Sequence, residues 1–428
     1  MLENFLRKNL RRLLTKENYI AFEGKTPPLE SRFQDIDELG LYLHIPFCEQ
    51  ICPYCPYNKE IYKPDKARMY MFAVKKEINF YSDLVGNKPV TSFYIGGGTP
   101  TTMLYNGLKE ILKHIFDKFN MQCGIHIESH PNHLSLDNLN TILSMGIKHI
   151  SIGVEALQDR HLKTLKRPYT AEEAKSAVKR AVSMNFECVN ADFIFALPNQ
   201  TYKEVEQAGQ VLVDMDVDQI AAYPFFGFPY TKMGGDSKES NYNVSIILKR
   251  RKMLNILEDI FYSAGYERTS VWAFTRPKSP KYCSVAIPLY VGLGASGASY
   301  LRDIFYLNTF NVAEYIKALE NGNMPIALSL DLSENMQMAS WFYWRIYETR
   351  FKKSNFMKRF GKEFNEVYGK YIKLLSLLGL LRDGGDQIVL SDKGTYWLHV
   401  LEDLFSLNYV GKLWGTSKQE PWPKRVVL

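Results

Sequence analysis

The chain has 428 residues, a net charge of +7 and only six cysteines, with 46% apolar and 14% aromatic residues. This much apolar surface excludes a disordered protein. No run of about 18 apolar residues predicts a membrane-spanning helix. At about 150 residues per domain, the length predicts two to three domains. The first residues lack the features of a secretory signal, so we expect a cytoplasmic protein with reduced thiols.

Strand and helix patterns alternate along the first half of the chain. Short β-rich runs and helical apolar stripes take turns, and two of the helices open with capping boxes, Thr170–Glu173 and Thr201–Glu204. Six such units in series predict an α/β fold with a parallel sheet, as an open partial barrel or a doubly wound sheet. The predicted strands are 41–45, 90–95, 125–127, 147–154, 189–195 and 219–223, and the predicted helices are 66–85, 104–119, 136–145, 170–184 and 201–215.

The second half of the chain is mostly helical. Helical patterns cover 249–261, 336–351 and 364–381, and a second glycine-rich stretch holds Gly292, Gly294 and Gly297. An Asp-Gly-Gly-Asp turn at 383–386 between two β-prone runs predicts a hairpin after a helix, typical of a winged-helix module. We predict an amphipathic segment at 1–35, a barrel at 36–235, a connecting region at 236–330 and a helical domain at 331–428.

Three cysteines form a tight cluster with the spacing Cys48-x3-Cys52-x2-Cys55, whereas Cys123, Cys188 and Cys283 are scattered. Three thiolates on one loop suit an iron–sulfur cluster or another soft metal site. Structural zinc stays an alternative, and it would need a fourth ligand such as His44, Cys123 or Cys188. A four-iron cluster on three thiolates leaves one iron open to a small chelating molecule.

The cysteine spacing, with Tyr54 before the last cysteine, resembles the signature of the radical S-adenosylmethionine (SAM) superfamily. Gly96 to Pro100 resembles the superfamily's glycine-rich SAM motif, in which glycines let the backbone approach the ligand with its N–H and C=O groups free. The segments LYLHIPFC, FYIGGGTPT, IHIESHP, ISIGVEAL, KRPYT and NADFIFALPNQT resemble, in order, the HemN-like subfamily. That subfamily includes oxygen-independent coproporphyrinogen III oxidases, HemW-type haem chaperones and class C radical SAM methyltransferases.

This resemblance implies a partial (βα)6 TIM-like barrel with a mostly helical, winged-helix-like carboxyl-terminal domain. It also implies a [4Fe–4S] cluster on Cys48, Cys52 and Cys55, with one or two SAM molecules. Each residue it places at SAM also has an ordinary alternative, such as a surface charge or apolar strand packing. The residues that the resemblance places at SAM are Tyr42, Gly97, Gly98, Thr99, Glu128, Glu155, Arg167, Asp192 and Ile194. The subfamily usually has Gln at the Glu155 position, and an ionised Glu can accept hydrogen bonds there but cannot donate them.

Two departures from the subfamily bear on the reaction. Tyr57 stands where coproporphyrinogen oxidases carry a fourth cysteine, and the stretch 281–296 has no histidine where HemW-type chaperones carry one. By elimination, we expect radical methyl or methylene transfer. Oxidative decarboxylation of a porphyrinogen and haem binding without catalysis remain alternatives, and a zinc-stabilised binding protein is a further one. No residue is assigned a catalytic role beyond cofactor binding.

The aromatic run Tyr223 to Phe228 would suit a flat apolar substrate such as a tetrapyrrole or a quinone. The resemblance also implies an electron donor such as flavodoxin or ferredoxin. Residues 2–14 form an amphipathic helical pattern that could lie on an anionic membrane surface or pack on the protein itself. No basic run accompanies the winged-helix pattern, so we do not expect a nucleic-acid partner.

Overall fold

The computed structural model describes residues 2–235, 243–281 and 289–428, with side chains from residue 6 onward. Cys283 and residues 282–288 of the stretch expected to lack a HemW-type histidine therefore lie outside the described residues. The helices are α1 (Leu2–Thr15), α2 (Pro64–Val85), α3 (Leu108–Lys118), α4 (Leu136–Ser144), α5 (Asp159–Thr164), α6 (Ala171–Val182), α7 (Tyr202–Asp214), α8 (Lys232–Gly235), α9 (Val244–Ser263), α10 (Val312–Glu320), α11 (Glu334–Tyr347), α12 (Lys353–Phe360), α13 (Phe364–Leu377) and α14 (Asp392–Gln419).

The strands form a 15-stranded sheet, a three-stranded sheet and a two-stranded sheet within the described residues. They are β1 (Ala21–Glu23), β2 (Leu39–Ile45), β3 (Phe47–Cys48), β4 (Glu60–Ile61), β5 (Pro89–Gly97), β6 (Asn120–Met121), β7 (Ile125–Ser129), β8 (Ile147–Glu155), β9 (Cys188–Phe195), β10 (Gln219–Pro224), β11 (Glu267–Arg268), β12 (Ala273–Thr275), β13 (Tyr290–Leu293), β14 (Ala298–Tyr300), β15 (Ile304–Asn308), β16 (Ile326–Asp331), β17 (Arg350–Lys352), β18 (Leu381–Gly384), β19 (Gln387–Leu390) and β20 (Arg425–Val427).

The centre of the large sheet is the predicted parallel core. Strands β2, β5, β7, β8, β9 and β10 pair side by side and all run parallel. Helices follow these strands along the chain, and both predicted capping boxes form, at Thr170–Glu173 and Thr201–Glu204. The α/β partial-barrel prediction is confirmed. Since parallel strands end at the same rim, their last residues gather around one opening.

The sheet extends beyond the six predicted strands at both edges. Strand β13 joins β2 in parallel, and β14, β15, β16, β1 and β20 follow in antiparallel order. At the other edge, β12 and β11 add to β10. The sheet therefore crosses the proposed boundary near residue 235, and the domain division stays a prediction.

The carboxyl-terminal part is helical with a small sheet, as predicted, and has its own core of aromatic side chains. The predicted hairpin is present as β18 and β19. Two predicted helices end earlier than expected. Helix α11 stops before Thr349 and α13 stops before Gly379, because both residues adopt left-handed backbone angles, with φ of 64° and 68°.

Helix α1 packs on the protein itself, which is one of the two alternatives given above for residues 2–14. Leu14 contacts the carboxyl-terminal core, and the Arg11 guanidinium donates to the backbone carbonyl of Leu428 at 2.6 Å. Leu6 and Leu13 remain 44% and 43% exposed. Contact with a membrane surface stays a prediction. None of the helices in the described ranges is long and apolar enough to span a bilayer.

Candidate active site

The three clustered cysteines lie beyond the carboxyl end of β2. Cys48 ends the short strand β3, whose partner β4 closes the loop that carries Cys52 and Cys55. All three thiols line one cavity of about 410 Å³ at the rim of the parallel strands. Across residues 2–235, 243–281 and 289–428, no three Cys, His, Asp or Glu side chains are arranged to hold a single metal ion. A cluster needs no such convergence, because each thiolate binds a different iron.

Burial disfavours the thiolate form of two of these cysteines, Cys48 and Cys55. Burial raises the pKa of Cys48 to about 11 and raises the pKa of Cys55 as well. Such thiols become thiolates only when a nearby positive charge stabilises them, which bound iron provides. His44, one of the proposed fourth ligands for zinc, is occupied instead. Its ring nitrogens lie 2.9 Å from the Tyr42 hydroxyl and 2.9 Å from the Asn58 carbonyl oxygen.

The first glycine-rich motif packs directly on the cysteine loop. The Gly98 N–H donates to Ile45 and the Thr99 N–H donates to Phe47, both at 2.8 Å. A Cβ on Gly98 would lie 2.7 Å from the Phe47 carbonyl oxygen, so only glycine allows this approach. The Gly97 N–H donates to Glu128. The expectation that these N–H groups are free for SAM is therefore wrong, because the protein itself uses them.

Two partly buried carboxyl groups, those of Glu128 and Asp192, face the cavity from β7 and β9. Glu128 accepts hydrogen bonds from the Tyr94 hydroxyl at 2.8 Å and the Gly97 N–H at 2.9 Å. Asp192 accepts from the Ser151 hydroxyl at 2.6 Å and the Asn190 amide at 2.9 Å. Burial raises the pKa of Glu128 and, despite those two donors, raises the pKa of Asp192 to about 7.

Glu155 and Arg167 add a pair of oppositely charged side chains to the cavity. Glu155 ends β8 at a register shift and has φ +65°, a backbone angle that costs energy for a residue with a side chain. Its carboxylate lies 3.6 Å from the Arg167 guanidinium. Arg167 also donates to the Gly153 carbonyl at 2.8 Å and points one nitrogen at the Cys52 sulfur, 3.4 Å away. This arginine therefore links the cluster loop to the acidic rim.

Tyr42 is the exception among the predicted site residues. It does not line the cavity and lies behind it, stacked on Tyr94 with ring centroids 6.1 Å apart. Its hydroxyl contacts His44. All the other predicted cluster and SAM residues line the cavity, including Ile194.

Sequence reasoning missed several residues of the cavity wall, among them Lys59, His130, His133 and Asn190. Asn190 could have been found, because it precedes Asp192 by two positions on the same strand face. His130 and His133 follow the end of β7 directly, so their position in the sequence also indicates a place near the rim. An aromatic wall completes the cavity and includes Tyr57, Tyr223, Phe225, Phe226, Phe228 and Tyr347.

Comparisons with known proteins agree with this site. Residues 42–212 match the model of the radical SAM superfamily. The heme chaperone HemW of Bacillus subtilis is 22% identical over 360 residues, covering 82% of this chain and 95% of the relative. The oxygen-independent coproporphyrinogen III oxidase of Helicobacter pylori is 24% identical over 320 residues, covering 69% of each chain. The solved structure of coproporphyrinogen III oxidase (HemN) from Escherichia coli has a TM-score of 0.77 at 21% identity, covering 90% of this chain and 94% of that one.

Residues 42–212 form a radical SAM region, and most of the chain is similar to HemN and HemW proteins. Its cofactors are accordingly a [4Fe–4S] cluster and SAM, as expected from the sequence. The HemN-like resemblance drawn from the cysteine and glycine motifs is confirmed. The expectation of methyl transfer is not supported by the relatives named above, since these are coproporphyrinogen oxidases and haem chaperones. A second SAM molecule stays a prediction.

Proposed function

We propose that this HemN-like protein is a SAM-cleaving enzyme that oxidises a tetrapyrrole, in the manner of an oxygen-independent coproporphyrinogen III oxidase. The observation that carries the proposal is the cavity, in which three thiols face three carboxyl groups, those of Glu128, Glu155 and Asp192. Cys48, Cys52 and Cys55 would hold the cluster, which would supply the electron for the reductive cleavage of SAM. The remaining protein groups hold SAM in place for that step.

The charges of the cavity match those of SAM. SAM carries a sulfonium and an ammonium group, and the carboxyl groups on the rim of β7, β8 and β9 complement these positive charges. Glu128 and Asp192 also keep carboxyl oxygens toward the cavity that can accept hydrogen bonds from ribose hydroxyls or the amino group. Arg167 offers a guanidinium to the SAM carboxylate, a pairing for which its planar geometry suits it.

The proposed substrate class rests on the relatives and on the aromatic wall. The relatives' names refer to coproporphyrinogen III and to haem, which are both tetrapyrroles. In this chain, Tyr223, Phe226 and Tyr347 are among the aromatic side chains along the cavity. Flat apolar ligands pack well on such rings. Lys59, a positively charged side chain on the cysteine side of the same cavity, would pair with a substrate carboxylate.

Haem binding without catalysis is the second candidate. The HemW relative aligns over 95% of its length, and Tyr57 replaces the fourth cysteine expected of the oxidases. This candidate predicts stoichiometric haem binding and no turnover of SAM.

Product analysis separates these functions. The reconstituted protein would be incubated anaerobically with SAM, a strong reductant and coproporphyrinogen III, and its products identified by mass spectrometry. The proposal expects 5′-deoxyadenosine together with CO₂ release from the porphyrinogen, and neither product from the C52A variant. Haem binding without deoxyadenosine would overturn it in favour of the chaperone. S-adenosylhomocysteine formed with an intact set of propionates would overturn it in favour of methyl transfer.

A further inference from the structure

The loop directly after the third cluster cysteine is held by its own set of donors. Two lysines converge on its carbonyl groups. Lys59 donates to the carbonyls of Cys55 at 2.7 Å and Tyr57 at 3.1 Å. Lys418, from the end of α14, donates to the carbonyls of Pro56 at 2.8 Å and Tyr57 at 3.1 Å. The Tyr57 carbonyl thus accepts from both ammonium groups.

Aromatic packing reinforces this contact. The Trp414 ring lies 6.1 Å from the Tyr57 ring and 6.0 Å from the Phe310 ring, between centroids. The backbone carbonyl of Phe310 accepts from the Asn58 side chain at 2.7 Å, so the loop is fastened on that side too. The Lys418 ammonium also sits over the Tyr230 ring, 4.7 Å from its centroid.

Helix α14 reaches the cysteine loop by a second route. Its Gly411 and Gly415 face Pro229 and Tyr230, and a Cβ added at either glycine would lie in ordinary contact, 3.9 Å from Pro229 and 3.7 Å from Tyr230. The same segment contacts the cysteine motif, because the Met233 N–H donates to the Pro53 carbonyl at 3.0 Å. A 28-residue helix spans about 42 Å, which lets α14 connect the carboxyl-terminal part with the cluster loop.

Two ammonium groups that share one carbonyl repel each other, an arrangement that favours a neighbouring negative charge. A cluster held by three thiolates is such a charge, and reduction adds one electron to it. Positive charge close to a cluster favours its reduced form, because net charge and hydrogen bonding set the reduction potential.

We propose that Lys418 and Trp414 form a carboxyl-terminal clamp that fixes the cluster loop and makes the cluster easier to reduce through the Lys418 charge. These are positioning residues, since they act on the loop and not on SAM. The inference rests on the cluster site of the proposed function, but it does not depend on which substrate that site uses.

The test compares K418M, K418R and the control K412M, which changes an exposed lysine on the same helix. The midpoint potential of each reconstituted protein is measured by spectroelectrochemistry without SAM or substrate. K418M should shift to a more negative potential, with a several-fold lower reduced fraction at a fixed potential, while K418R and K412M should stay near wild type. An unchanged potential in a folded, fully loaded K418M protein overturns the charge effect, and so does an equal shift in K412M.

The mechanical half of the clamp is tested on the cluster-free protein. Amide hydrogen exchange of the peptide covering 56–60 should be several-fold faster in W414A and K418M than in wild type, with the exchange of β8 unchanged. Equal exchange in all three proteins would overturn the clamp. If instead the potential shifts as expected but no porphyrinogen is consumed, the proposed substrate fails and the clamp stands.

Discussion

Replacing Glu77 with Gln should change how the stability of the protein depends on pH. Glu77 lies on α2 and is fully buried beneath the second glycine-rich stretch. Its carboxyl group accepts from the Gly294 N–H at 2.7 Å, the Asn308 amide at 2.7 Å and the Tyr315 hydroxyl at 2.5 Å. Even so, burial outweighs these donors and raises its pKa to about 7.

The magnitude follows from that pKa. Between the usual pKa of 4.5 and about 7, the folded protein binds more protons at Glu77 than the unfolded chain does. The free energy of unfolding therefore falls as the pH rises through this window, by a total of about 3 kcal/mol at about 1.4 kcal/mol per pH unit. Below pH 4.5 Glu77 does not change the free energy of unfolding with pH. Above pH 7 the whole decrease of about 3 kcal/mol has taken place.

Gln reproduces the protonated form of Glu77. Its oxygen can accept from the Gly294 N–H and the Tyr315 hydroxyl. Its amide can donate to the Asn308 side-chain oxygen, which has no hydrogen-bond partner among the described residues, once the Asn308 amide group turns over. E77Q should thus gain about 3 kcal/mol over wild type between pH 4.5 and pH 8. Since every other titrating group is common to both proteins, the difference isolates Glu77.

The assay is urea unfolding of the cluster-free protein at pH 5, 6, 7 and 8, followed by circular dichroism. E110Q, which changes an exposed carboxylate on α3, is the control and should parallel wild type at each pH. If the E77Q and wild-type curves also run parallel from pH 5 to pH 8, the reasoning about Glu77 is refuted.

Three further outcomes are expected at the cofactor site. C52A should lose the visible absorbance of the reconstituted cluster while its far-ultraviolet circular dichroism stays that of wild type, and retained absorbance would exclude Cys52 as a ligand. R167K should bind SAM about tenfold more weakly in calorimetry, because Lys cannot form the bidentate pair, and unchanged affinity would remove Arg167 from the SAM site. Asp192 titrates with a pKa of about 7, so SAM affinity should fall as the pH drops from 8 to 6 and the carboxylate gains a proton. D192N should lack that fall, and a pH dependence equal to wild type would assign it to another group.

Local sequence patterns sufficed for the core of this fold and for most of the site. A strand or a capped helix is set by periodicity and by neighbours three or four residues away, so the six parallel strands could be predicted. The cysteine spacing lies within one loop, and its chemistry follows from the thiols themselves. Glu128 and Asp192 line the cavity, as expected of polar residues in the carboxyl-terminal halves of parallel strands that share one rim, and their contact with SAM stays a prediction.

Contacts between distant parts of the chain decided the rest. Tyr42 was expected at the cofactor, but it contacts Tyr94 and His44 and is not among the residues that line the cavity, so its contact with SAM stays a prediction. Strand β13 pairs with β2 although the two are far apart in the sequence, since Tyr290 pairs with Gly40, 250 positions away. No local sequence pattern indicates such a pairing. Lys418 reaches Tyr57 across 361 residues. The sequence alone therefore predicted which cysteines would hold the cluster, whereas the folded sheet and α14 decided what surrounds them, because long-range packing depends on the whole chain at once.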